Sequence, residues 1–136
     1  MNRKYSIIKK EVSSYSLLRW FTGGLILIHG LYRVFMISGY ADFVVNTFER
    51  TYLAESVLTI GATLFPFLEF FTGLLIITGT QTKKAVRTGF AISLIMVLFI
   101  LAGSLYTRLI YHTIVLSCLF VLHFGFLSPG SKNKII

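Results

Sequence analysis

Apolar residues gather in four long runs, at about 17–37, 57–78, 85–105 and 109–127, separated by short polar stretches. None of the runs alternates strictly between apolar and polar. A helix rising ~1.5 Å per residue needs about 20 residues to cross a hydrocarbon core, so the pattern predicts transmembrane helices and excludes barrel strands. Residues 85–127 as one straight helix would be roughly 65 Å long, twice the core thickness, so the chain must reverse. The reversal is expected within GSLYTRL, with Gly103, Ser104 and Arg108 near the outer surface.

Between the first two runs the pattern changes. Phe43, Val44, Thr47, Phe48, Thr51 and Tyr52 recur at three- and four-residue spacing, with Asp42, Asn46, Glu49 and Arg50 on the other side. This reads as a short amphipathic helix on the outer leaflet or capping the helices, the alternative being an irregular loop. Residues 1–16 are basic and moderately apolar, and Tyr5, Ile7, Ile8 and Val12 would lie on the inner surface in an interfacial helix, or belong to a loose tail. Ser14 and Ser16 are expected N-caps for the first crossing. Pro66 should kink the second crossing and free a backbone carbonyl, Gly79 to Gln81 should end it, and Ser128, Pro129 and Gly130 should stop the last one.

Composition agrees: 55% of the 136 residues are hydrophobic and only 13% are charged, with a mean hydropathy of +0.78. The net charge of +8 does not indicate nucleic acid, because the basic residues flank the apolar runs. Arg3, Lys4, Lys9, Lys10 and Arg19 precede the first, Lys83, Lys84 and Arg87 lie between the second and third, and Lys132 and Lys134 follow the fourth. Both termini and the middle turn are therefore expected on the cytoplasmic side of the membrane. The first run lacks a small-residue cleavage pattern and is expected to be retained. The single Cys118, inside the fourth run, reads as an inert core thiol.

Candidate chemistry comes from ionisable groups at depth, which are costly in lipid and require partners. Counted from the outer ends at ~1.5 Å per residue, Arg33 lies about 6 Å deep, His29 about 12 Å, and Glu69 about 13–18 Å. His29, Arg33 and Glu69 are therefore expected to form one polar cluster in the outer half. It either fixes which helix faces pack or lines a cavity for a small polar or quinone-like ligand. Tyr32, Tyr106, Tyr111 and His112 would stand near the mouth. Only about 5 Å deep by the same count, His112 is not expected level with His29, and His123 lies about 20 Å deep as a core histidine bonded to a carbonyl. Neither a haem nor a metal site is expected, and no nucleophile–base pair or phosphate loop is present. Gly23 and Gly30, seven apart, should meet a neighbouring helix, and Gly89 and Ser93 make a second small-residue step. FTGGLILIHG at 21–30 echoes FTGLLIITG at 71–79, which reads as compositional coincidence rather than an inverted repeat.

LLRWFTGGLILIHGLYRVF followed by FLEFFTGLLIITGTQTKKA resembles the DoxX family of small four-helix membrane proteins. The matching positions are Arg19, His29, Gly30, Arg33, Glu69, Gly73 and Gly79, with the basic turn after Gly79 and the terminal SPG. Arg33 stands where lysine is common in that family, and the connection near Arg108 is shorter than usual. The resemblance implies a four-transmembrane-helix bundle associated with membrane redox and thiol-oxidation enzymes, and quinone as the cofactor class. Together these readings give an all-α integral membrane protein: a non-catalytic subunit of a redox complex, surrounded by lipid, with other membrane subunits or a second copy of itself as partners. A small-solute carrier or channel-like protein and a purely structural assembly factor are the alternatives.

Overall fold

The computed structural model describes residues 2–49 and 51–127, and the side chains of 14–49 and 51–124. Among the described residues all regular structure is helical: α1 (Asn2–Phe35), α2 (Ile37–Phe48), α3 (Glu55–Thr78), α4 (Thr82–Ala102) and α5 (Tyr106–Leu127). Three stretches, α3, α4 and Tyr106–Phe124 of α5, are long and apolar enough to cross a membrane, which marks the chain as a membrane protein. The fourth expected crossing differs. Ser14–Phe35 of α1 meets the same standard only together with α2, and the two are bent by 90°.

The bend falls at Met36 (φ −105°, ψ 28°), where there is neither proline nor glycine to announce it. Its backbone remains bonded, Met36 N–H donating to Tyr32 O at 3.2 Å and Tyr40 N–H to Met36 O at 2.8 Å. The turn folds the Tyr40 ring back over Arg33, whose guanidinium carbon lies 4.7 Å from the ring centroid. A straight α1 would have carried Tyr40 away from that charge.

The amphipathic stretch is a helix, but a shorter one than its spacing suggests. It ends at Phe48, whose carbonyl accepts from both the N–H and the hydroxyl of Thr51, at 2.9 and 2.7 Å, and Tyr52 is exposed. Phe48 is only 3% exposed and stands edge-on to Phe99, ring centroids 5.6 Å apart. α2 therefore caps the first turns of α3 and the end of α4.

Other boundaries shift as well. α1 begins upstream of Ser14 and Ser16, so these are interior residues and not caps. α3 continues through the buried Pro66 and ends at Gly79, whose φ of +80° is open to glycine. α4 and α5 are joined by Gly103, Ser104 and Leu105 alone, with α5 starting three residues earlier than its hydropathy predicts. His123 is half-buried beside Val86, Arg87 and Phe90 and has no hydrogen-bond partner among the described residues, contrary to the expected carbonyl bond. Cys118 is free and half-buried. The helix stop at Ser128, Pro129 and Gly130, and the side chains of Tyr5, Ile7, Ile8 and Val12, lie outside the described residues.

α1 packs on α3 and α5, α4 packs on the same two, and α2 packs on α3. The α1–α3 contact is antiparallel and made by glycines. A Cβ added at Gly30 would lie 2.5 Å from Phe70 N and 2.8 Å from Pro66 O, and one at Gly73 would lie 2.5 Å from Leu27 N and 2.8 Å from Gly23 O. Backbone meets backbone, so any side chain there would force the helices apart. Both copies of the FTG echo contribute to this seam. Gly89 and Ser93 are buried where α4 meets α3 and α5, near Thr72 and Leu119. Ile26, Ile76, Val86, Val115, Leu119 and Leu122 form the main apolar core.

Candidate functional site

The seam fixes the register that brings three ionisable side chains together. His29 Nδ1 lies 3.2 Å from Glu69 Oε2, and Arg33 Nη1 donates to Glu69 Oε1 and Oε2 at 3.4 and 3.2 Å. Arg33 and Glu69 are 6% and 4% exposed, so the pair is desolvated and each charge depends on the other. A carboxylate can only accept, so a hydrogen bond from His29 to the Glu69 carboxylate puts the proton on Nδ1. That leaves Nε2 as the free acceptor of the His29 ring.

α5 supplies the wall behind His29. Tyr111 stacks on it with ring centroids 4.0 Å apart and planes inclined by 22°, and the Tyr111 hydroxyl donates to Leu25 O at 3.0 Å. His112 stands edge-on to His29, centroids 5.7 Å apart, and to Tyr111 at 5.0 Å. Its Nδ1 is buried without a hydrogen-bond partner.

Two expectations are corrected here. His112 is level with His29 and, at 1% exposure, is not at a mouth. The reason is the pair of displaced helix ends: α5 starts at Tyr106 and α1 stops at Phe35, which puts both histidines about 9 Å from their helix ends. Tyr106, 63% exposed, does not line the cleft described next, whereas Tyr32 and Tyr111 do. Glu69 also reaches His29 although it lies 14 residues from the start of α3 at Glu55. The first turns of α3 project past the end of α1 and are covered by α2.

Above the cluster lies an open cleft of about 520 Å³ between α1, α2 and the start of α5. His29, Tyr32 and Arg33 form one wall, Tyr40 and Phe43 a second, and Arg108 and Tyr111 the third. Arg108 lies over the Phe43 ring at 4.3 Å, the counterpart of Arg33 over Tyr40. Hydropathy could not assign Tyr40, Phe43 and Arg108 to the site, because they reach it only through the bend at Met36. The available signal was the i, i+3 aromatic pair on α2. Below Glu69, the space bounded by Ile26, Thr72, Ser93 and Val115 has no room for a water molecule.

Arg19 belongs to a different place. Its guanidinium packs on Gly79, the C-cap of α3, where unpaired carbonyls favour a cation. Among the described residues, no three His, Cys, Asp or Glu side chains are grouped so as to hold a metal ion. No family model, no curated protein and no solved structure matches this chain.

Proposed function

We propose that this chain is a DoxX-like membrane subunit of a redox complex in the bacterial inner membrane, a four-helix bundle with both termini cytoplasmic. It anchors partner subunits and contributes a pocket for a quinone-like ligand. The observation that carries this reading is the cleft itself: an aromatic-walled space floored by a charge-fixed His–Glu–Arg cluster. Rings of Tyr32, Tyr40 and Tyr111 suit a planar ligand body, and donors from Arg33 suit its oxygen.

Quinone chemistry requires protons to be taken up and released beside the ring oxygens. His29 can exchange one through Nε2, the ring nitrogen opposite the Nδ1 that Glu69 holds. Arg33 holds the Glu69 carboxyl group in place. The chain's own contribution is thus binding, orientation and proton exchange, with electrons supplied by a partner. A channel or carrier is less well supported, since no water-sized space continues below Glu69.

The test is purification in mild detergent followed by solvent extraction and identification of bound proteins. Quinone recovered with the wild-type chain, and lost in His29→Leu, is the expected result. A colourless, quinone-free and partner-free protein, together with unchanged host respiration in Glu69→Gln, would remove the redox reading.

A further inference from the structure

The charges around the cleft do not balance. Arg33 is offset by Glu69, but Arg108 has no carboxylate partner among the described residues and lies over the Phe43 ring. Both hydrogen bonds from Arg33 to Glu69 use Nη1, so its Nε and Nη2 donate to no acceptor among the described residues. An arginine 94% buried by its 6% exposure would ordinarily spend its donors on protein oxygens. Here they remain beside a cavity that Arg108 also lines.

The two guanidiniums are held alike, each over an aromatic ring of α2, at 4.7 and 4.3 Å, from rings three residues apart in sequence. They also line a second space of about 50 Å³, enclosed by Phe48, Leu58, Ala62, Phe65 and Met96, which shares Arg33, Tyr40, Phe43 and Arg108 with the cleft. That pocket is apolar, and about 30 Å³ is one water's share of the liquid, so it has room only for the tip of an aliphatic chain. An aromatic-walled cleft with an excess positive charge therefore adjoins an apolar slot through shared walls.

We propose that the natural occupant of this cleft is an oxyanion on an apolar body, its charged oxygen shared by Arg33 and Arg108 and its aliphatic end directed into the α2–α3–α4 slot. The inference rests on the quinone-like pocket and narrows it: the preferred ligand is the ionised form, such as a deprotonated ring hydroxyl. Bidentate, charge-assisted donors favour an anionic oxygen over a neutral carbonyl, and exclusion of water strengthens the preference. Glu69 lies on the Nη1 side of Arg33, already neutralised, and so opposes the anion little.

The experiment is isothermal titration of the full chain in mild detergent with two matched probes. One is an alkyl hydroxynaphthoquinone, ionised at neutral pH, and the other its uncharged O-methyl ether. The ionised probe should bind about tenfold more tightly or better, corresponding to ~1.4 kcal/mol. Arg108→Gln should bring the ratio towards one, and Arg108→Lys should keep part of it by retaining the charge. Equal binding of both probes to the wild type would overturn the anion preference while leaving the pocket standing. Failure of both probes would remove the pocket and this inference together. Inorganic phosphate is the third arm: displacement of the ionised probe at equal concentration would show that a free anion suffices and would overturn the requirement for an apolar body.

Discussion

α1 meets α3, and α4 meets α5, by different means. In the first pair side chains are reduced to hydrogen at Gly23, Gly30 and Gly73, the backbones touch, and an ion pair with a histidine bridges the helices. In the second, Val86, Val115, Leu119 and Leu122 are buried against one another and carry no charge. The two solutions differ in specificity. Apolar side chains in lipid gain little by exchanging one apolar neighbour for another, so that contact tolerates small rearrangements. A glycine seam crossed by a buried carboxylate admits one register, because a shifted helix leaves both a clash and an unpaired charge.

The sharpest way to break this contrast is to remove one charge. Glu69→Leu leaves Arg33 buried without a counterion and should cost about 4 kcal/mol. The double variant Glu69→Leu with Arg33→Met should recover most of that. Thermal unfolding in detergent checks both; a double variant as unstable as the single one would show that the ion pair is not the determinant. Next is Gly30→Leu, expected to cost about 3 kcal/mol by forcing backbones apart. Its monodisperse fraction on size exclusion should collapse, and wild-type behaviour would disprove the seam. Smallest is Leu119→Ala in the apolar pair, at about 2 kcal/mol, since the cavity term remains while the transfer term fades in lipid. If it equalled Glu69→Leu, the two contacts would not differ in kind.

The sequence made the polar trio legible because charges inside apolar runs need partners, and only Glu69 could answer His29 and Arg33 from another run. Gly23 and Gly30 were legible by the same economy, as small residues seven apart. His112 was placed wrongly because hydropathy puts helix ends late: a run becomes apolar only after the helix has begun, and three residues are a full ~4.5 Å of depth. Arg108, Tyr40 and Phe43 escaped for a further reason. A 90° turn at Met36 carries no proline or glycine signal, so the pattern could show that α2 is amphipathic but not which charges its aromatic rings would cover.

The glycine seam also has a mechanical consequence. Two backbones in contact act like meshed teeth: advancing α1 along α3 by one residue, ~1.5 Å, would drive Leu27 into Gly73 and carry His29 off Glu69. Piston motion between those helices is blocked. The opposite jaw of the cleft is α2, which turns off α1 at Met36 and is seated on α3 and the end of α4 through the buried Phe48. The His29–Glu69–Arg33 trio is thereby locked to the register of α1 on α3, whatever the aromatic jaw across the cleft does.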